Sequence, residues 1–230
     1  MIQAVILAGG LGTRMRPFTE TVPKPLLPVL GRPFLEHQLQ LLQTNGLRRF
    51  VLLVGYLGRR IEDHFREHPL PGDVEMLYSY EPEPLGTGGA LKNASHLLDY
   101  EFLVLNGDTL LDIDYAALVT QFRAQRAHLT VAAYRNLAQT VPSNLDVAPD
   151  GLVLAYSKLQ PTGEFVDAGV QAVRKSVLDS ISPGEKCSFE QEVFPKLIAR
   201  GQLTAWPTST PFFDMGTPAG MRALEAHLNR

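Results

Sequence analysis

A chain of 230 residues, 45% hydrophobic and 20% charged, is long enough to bury a sizeable core as one large domain. Its formal net charge of −3 excludes the basic excess of a nucleic-acid-binding surface, yet leaves room for a few placed cations around a phosphate. The single cysteine, Cys187, excludes an internal disulfide and a zinc site built on thiolates.

The opening MIQAVILAGG has an apolar run without a basic leader or a cleavage pattern. Residues 2–7 therefore read as a buried strand feeding a turn at Ala8-Gly9-Gly10. Pro33 opens a helix at its first position, with Phe34, Leu35, Leu39 and Leu42 on one face and Asn45-Gly46 ending it. A buried strand follows at 50–54, then a helical face of Leu57, Ile61 and Phe65, then a strand at 74–78. Beyond the glycines of Leu85-Gly86-Thr87-Gly88-Gly89, residues 91–98 continue as a helix. Residues 102–105 form a strongly apolar strand ending at Asn106-Gly107-Asp108, and Asp114 caps a helix carrying Ala117, Leu118, Phe122 and Ala124. Strands at 128–134, 152–156 and 165–173 come next, with helices at 190–199 and 218–228. Strands alternating with helices predict an α/β fold with a largely parallel sheet, and the later strand pairs predict an antiparallel addition. Without a linker, repeat or low-complexity tract, residues 1–230 read as one domain. No apolar run approaches the ~18 residues of a bilayer span, so a soluble, cytoplasmic protein with no membrane or nucleic-acid partner is expected.

The first chemical signal is the run from Leu7 through Ala8, Gly9, Gly10, Gly12, Thr13 and Arg14 to Pro17, followed by Pro23-Lys24-Pro25. Glycines directly after a buried strand let backbone amides approach an anion, and Arg14 and Lys24 can neutralise a triphosphate. A Walker A loop would need Gly-Lys-Ser/Thr, which is missing. A dinucleotide fingerprint would need a small residue where Arg14 and Met15 stand.

The run GGLGTRMRPFTETVPKPLLPVLGRPFLEH resembles the signature of the sugar-1-phosphate nucleotidyltransferases nearly throughout. The resemblance continues, in the family's order, through Leu85-Gly86-Thr87-Gly88-Gly89-Ala90, Asn106-Gly107-Asp108, Asp167-Ala168-Gly169-Val170 and Phe213-Asp214-Met215-Gly216-Thr217-Pro218. It implies a single Rossmann-like domain, the nucleotide-diphospho-sugar transferase fold, with a mixed but mainly parallel sheet flanked by helices. It also implies that Asp108 and Asp214 hold a catalytic Mg²⁺. Mg²⁺ prefers hard oxygen donors, one or two carboxylates plus water and substrate phosphates. Read alone, Asp108 serves equally well as a turn residue and Asp214 as a loop cap. By the same resemblance Lys158 contacts the phosphate of the sugar substrate, although Ser157 stands where the family commonly has Glu. Asn106, Asp167, Gly169 and Gln171 fall where the family meets the sugar and its phosphate, many members having Asn at the position of Asp167. No hexapeptide-repeat β-helix domain is expected after Asp214.

Glu81-Pro82-Glu83-Pro84-Leu85-Gly86-Thr87-Gly88-Gly89 resembles guanylyltransferases, particularly those for mannose 1-phosphate and D-glycero-D-manno-heptose 1-phosphate. A carboxylate at Glu81 or Glu83 can accept from both N1–H and N2–H₂ of guanine, a donor pair absent from uracil and thymine. The length, Gly88-Gly89 and Ser188-Phe189-Glu190-Gln191-Glu192 look most like the heptose enzymes. GTP and a manno-configured sugar 1-phosphate are thus the expected partners, with a monomer or a homodimer equally compatible. Uridylyltransferases for N-acetylmuramic acid 1-phosphate or glucose 1-phosphate are the alternative. A further alternative is a glycosyltransferase using Asp112-Ile113-Asp114 as a metal motif, although Asp114 also suits a helix cap. An inactive regulatory relative should lack a key charge, whereas Arg14, Lys24, Asp108 and Asp214 are all present.

Overall fold

The structure is a computed structural model that describes residues 2–139 and 141–229. Its first half runs β1 (Gln3–Leu7), β2 (Pro28–Val29), β3 (Arg32–Pro33), α1 (Phe34–Thr44), β4 (Arg49–Val54), α2 (Gly58–Glu67), β5 (Glu75–Tyr80), α3 (Gly86–Asn93), β6 (Glu101–Asn106), β7 (Thr109–Leu111) and α4 (Tyr115–Ala124). The second half adds β8 (Leu129–Arg135), β9 (Leu145–Val147), β10 (Val153–Tyr156), β11 (Phe165–Arg174), α5 (Phe194–Ile198), β12 (Leu203–Thr208), β13 (Phe212–Asp214) and α6 (Pro218–Leu228).

β5, β4, β1 and β6 pair in parallel in that order. β11 then pairs antiparallel with β6 and β8, β12 lies parallel to β8, and β9 and β10 extend the sheet from the start of β11. The architecture is therefore the expected mixed, mainly parallel sheet in one domain, with the antiparallel addition in the second half. Side chains alternate across it as strand geometry requires. Ala4, Ile6, Phe50, Leu52, Leu103 and Leu105 join α1, α2 and α4 on one face, while Val5, Val51, Leu53, Phe102 and Val104 meet α3 and α5 on the other. A small third core of Met15, Leu27, Val29, Phe34, Leu110, Met215 and Leu224 ties α6 to the first glycine loop and to the β7–β13 pair.

Several local expectations need correction. Pro33 is the N-cap of α1 rather than its first residue. Leu57 is not on a helical face: it caps α2 in the left-handed conformation at φ 54. The helix expected at 91–98 begins instead at Gly86, stops at Asn93 and passes into a 3₁₀ turn, Ser95–Leu97. The helix expected at 190–199 is a π turn, Phe189–Val193, followed by the short α5. In α4 the buried stripe is Tyr115, Leu118, Val119 and Phe122, leaving Ala124 exposed. No helix among the described residues is long and apolar enough to cross a membrane.

Candidate active site

A cleft of about 660 Å³ opens at the carboxyl ends of β1 and β6. The chain leaves β1 toward β4 on one side and later returns on the other with β6, so this is the switch point where ligands of open α/β sheets bind. The volume is ordinary for a small-molecule site. Leu7, Ala8, Gly9 and Gly10 line it, as do Lys24, Asn106 and Asp108. Gly107 is required between the last two, since a Cβ there would fall 2.5 Å from the Leu7 carbonyl oxygen. Its absence lets the Asp108 turn lie directly against the end of β1.

Lys24 sits in a 3₁₀ turn, Lys24–Leu26, between Pro23 and Pro25, with 9% of its surface exposed. Its Nζ donates to Asp108 Oδ2 at 2.5 Å, joining segments 84 residues apart. Thr109 donates its hydroxyl to the other oxygen of Asp108 at 3.1 Å. Asp214 is brought to the same corner by strand pairing. It stands opposite Thr109 in the β7–β13 ladder, and the Met215 amide donates to the Asp108 carbonyl at 2.9 Å. Asp214 Oδ1 accepts from the Gly216 amide at 2.6 Å. A Cβ on Gly216 would meet Asp214 Oδ1 at 2.8 Å and Arg14 Nη2 at 2.9 Å, so the arginine and the second aspartate converge on the same glycine. Gly12 at φ 62 starts the Thr13–Met15 turn that carries Arg14. Gly12, Thr13, Arg14 and Asp214 lie beside the cleft, outside the residues that line it.

Glu81, Pro82, Glu83, Pro84, Gly86 and Thr87 also line the cleft. Glu81 packs into the space Gly9 leaves, where a Cβ would sit 2.5 Å from its Oε1, and its Oε2 accepts from the Leu85 amide at 2.9 Å. Burial pushes the Glu81 carboxyl above its usual range, against the opposing pull of that amide. Glu83 is exposed at the rim. Gly88 does not reach the cleft: its amide donates to the Cys187 carbonyl at 2.9 Å, and a Cβ would strike the Cys187 sulfur at 2.9 Å. The second and third glycines of this loop thus dock α3 onto the segment before the π turn and do not face a ligand.

At the far end stand Lys158, Glu190 and, behind them, β11. The ladder between β11 and β8 shifts register between Asp167 and Gln171, with Gly169 at φ 75 in the irregular stretch. A Cβ on Gly169 would lie 2.8 Å from Asn106 Nδ2, so this glycine admits the Asn106 side chain. Asp167 accepts from the Gly169 amide at 2.9 Å and from Gln171 Nε2 at 3.1 Å. Burial, reinforced by the Glu190 charge, raises its pKa to about 6, although the Gly169 amide, Gln171 and Lys158 pull it down. Asp167, Gly169 and Gln171 form a layer beneath the cleft rather than its lining. Among the lining residues given no role from the sequence, Tyr56 and Glu190 are the polar ones. Tyr56 is held by a hydrogen bond from its hydroxyl to the Glu20 carbonyl at 3.0 Å. Glu190 lies in the run Ser188-Phe189-Glu190-Gln191-Glu192, read as resembling the heptose enzymes and as the start of a helix, without a role at the site. The D-x-D alternative loses its geometry: Asp114 accepts from the Ala117 amide at 2.9 Å as the N-cap of α4, and neither it nor Asp112 lines the cleft.

Glycine amides at a switch point, with a lysine–aspartate contact beside them, define an α/β protein built to handle a phosphorylated ligand. Residues 3–141 match the family model described as nucleotidyl transferase. The mannose-1-phosphate guanylyltransferase of Mycobacterium tuberculosis is 35% identical over 225 residues, covering 94% of this chain and 62% of that protein. The D-glycero-alpha-D-manno-heptose 1-phosphate guanylyltransferase of Campylobacter jejuni is 33% identical over 221 residues, covering 94% of this chain and 96% of that one. The crystal structure of HddC from Yersinia pseudotuberculosis complexed with GMP-PN has a TM-score of 0.84 at 29% identity, covering 99% of this chain and 100% of that one. The chain belongs to the nucleotidyl transferase family.

Proposed function

We propose that this protein transfers a nucleoside monophosphate, preferentially from GTP, to a sugar 1-phosphate of manno-heptose or mannose type, releasing pyrophosphate. The observation that carries the reading is the meeting of Lys24 and Asp108 at 2.5 Å beside the glycine loop of the cleft. The names of the mannose and heptose relatives favour the same substrates.

An oxygen of the sugar 1-phosphate attacks the α-phosphorus of the nucleotide; the bond from that phosphorus to the β-phosphate oxygen breaks, and pyrophosphate departs. The attacking phosphate is already ionised near neutral pH, so no general base or covalent nucleophile is required. Catalysis rests on positioning and charge neutralisation. Leu7, Ala8, Gly9 and Gly10 line the place of the triphosphate with the Gly12-Thr13 turn beside it, Arg14 and Lys24 stabilise the departing pyrophosphate, and Lys158 orients the attacker. Asp108 and Asp214 suit Mg²⁺, because both are hard oxygen donors on adjoining backbone and Asp108 already holds a cationic group. No cluster of three or more His, Cys, Asp or Glu suited to a metal occurs among the described residues, so a bound ion would need substrate phosphate or water oxygens besides these two carboxylates. When bound, the ion would neutralise charge on the phosphate oxygens. Glu81, desolvated in the wall by Gly9, is the group for the guanine N1–H and N2–H₂ donors, while Glu83 and Gly86 border the base. Asn106, Asp167, Gly169 and Gln171 shape the sugar end. NTP substrates agree with a cytoplasmic location.

The test incubates purified protein with Mg²⁺, each NTP and a panel of sugar 1-phosphates, and measures pyrophosphate. Release should be fastest with GTP and a manno-configured sugar 1-phosphate. Lys24→Ala and Asp108→Asn should each lose roughly 100-fold or more in kcat with the fold intact by circular dichroism. Near-wild-type turnover in either variant, or consumption of a nucleotide-sugar with transfer to an acceptor, would overturn the assignment.

A further inference from the structure

Glu190 is 6% exposed yet lines the cleft, and it comes from a π turn far in sequence from every other wall. Its hydrogen bonds converge on one oxygen. Oε2 accepts from Thr87 Oγ1 at 3.0 Å, Lys158 Nζ at 3.2 Å and Ser188 Oγ at 3.3 Å. Thr87 is itself oriented, since its hydroxyl accepts from the Phe189 amide at 2.8 Å. The Glu190 charge also reaches Asp167 and Tyr156, helping to raise the pKa of each. The lysine in this cluster has a buried partner but a largely exposed side chain of its own. A long, mobile cation docked on a fixed carboxylate can transfer to an arriving phosphate with little rearrangement of the wall. Its departure leaves Glu190, 6% exposed, with two hydroxyl donors on Oε2 but without its cationic partner, a desolvated charge that a further donor from the ligand would stabilise.

We propose that Glu190 is the specificity-determining carboxylate of the acceptor end: it holds Lys158 until the acceptor arrives and accepts a hydrogen bond from a sugar hydroxyl once Lys158 engages the phosphate. The proposal rests on the nucleotidyl-transfer reading above and adds to it a polyhydroxy requirement for the acceptor. An acceptor phosphate without a hydroxyl near its anomeric end should be handled poorly whatever the variant.

The experiment compares wild type with Glu190→Gln, which keeps the size and an oxygen for Thr87 but removes the charge. Mannose 1-phosphate and its singly deoxygenated analogues serve as acceptors, with GTP held saturating. With mannose 1-phosphate the variant should show a rise of about ten-fold or more in acceptor KM, the loss expected for a hydrogen bond to a charged group, while KM for GTP stays within about two-fold. With one deoxy analogue the wild type should already carry that penalty, and Glu190→Gln should add little to it. If Glu190 only glues the π turn to α3, the variant will lower the melting temperature and raise both KM values alike, with the same ratio for every deoxy analogue. That outcome would overturn the proposal, as would unchanged kinetics. A wild type that turns over no sugar 1-phosphate would instead sink the underlying functional reading, so the two failures are distinguishable.

Discussion

Asp167 shows how a side chain can lie behind a cleft and still answer first to its own strand. Its carboxyl is raised from 3.8 to about 6 chiefly by burial. The folded protein therefore holds this proton more tightly than the unfolded chain. Its contribution to stability is fully present below about pH 4 and is lost as pH climbs through about 6. Asp167→Asn keeps an oxygen for the Gly169 amide and Gln171 and has no charge to desolvate. Urea unfolding from pH 5 to pH 7.5 should fall less steeply in the variant, by on the order of 1 kcal/mol across that window. Parallel slopes would show that Asp167 is solvated as well in the fold as outside it. The resemblance of Asp167-Ala168-Gly169-Val170 to family motifs locates this segment, but not the direction of its oxygens. Those turn toward Gly169 and Gln171 because β11 breaks register there, and a register shift set by two flanking strands leaves no local mark in a sequence. The same applies to Gly88, a motif glycine whose neighbour in space is 99 residues away at Cys187.

Among the elements, α1 does more than cover the sheet. Gln38 is 1% exposed, and its Nε2 donates to the Asn106 carbonyl at 2.9 Å and the Thr109 carbonyl at 2.8 Å. One amide group thus pins both ends of the turn that presents Asp108, while its own Oε1 is buried without a partner among the described residues. Gln38→Leu should orphan two carbonyls and cost about 1–3 kcal/mol of unfolding free energy. It should also weaken the Mg²⁺ dependence of turnover, moving the half-saturating Mg²⁺ concentration upward while leaving KM for the sugar 1-phosphate near wild type. A stability loss with an unshifted Mg²⁺ titration would mean that the β7–β13 pair alone holds the turn. The helix itself is legible from Phe34, Leu35, Leu39 and Leu42, all of them buried, because a regular period and an Asn-Gly stop leave little choice. β12 is not legible in the same way. Pro207 argues against a strand, and the strand survives because the ladder of β12 runs with β8 on one side, while the contacts of residues 151–152 with its other side reach Thr204 and Ala205, short of Pro207. β9 and β13 have three residues each, too few for any alternation to show.

At the scale of the whole molecule, the cleft draws on both halves of one sheet, so a nucleotide bound at its parallel end should stabilise the antiparallel end as well. Trp206, the only tryptophan, reports on that end. It lies on β12, paired with Ala132 of β8, and the path back to the glycine loop runs through β8, β11, β6 and β1. If the chain unfolds as one cooperative unit, tryptophan fluorescence and far-ultraviolet circular dichroism should give the same midpoint. GTP with Mg²⁺ at about 100 times its Kd adds about 2.7 kcal/mol, which for a domain of this size corresponds to a rise of about 5–10 °C in both signals together. UTP at the same concentration should move them less, by the share of affinity that Glu81 contributes through guanine. Glu81→Gln should narrow the gap between the two nucleotides without changing the agreement of the two probes. A fluorescence midpoint that stays fixed while the dichroism midpoint rises would divide the chain at the β6–β11 boundary. The antiparallel strands would then be a separate folding unit leaning on the nucleotide-binding half, and the acceptor end of the cleft would be assembled only when both are folded.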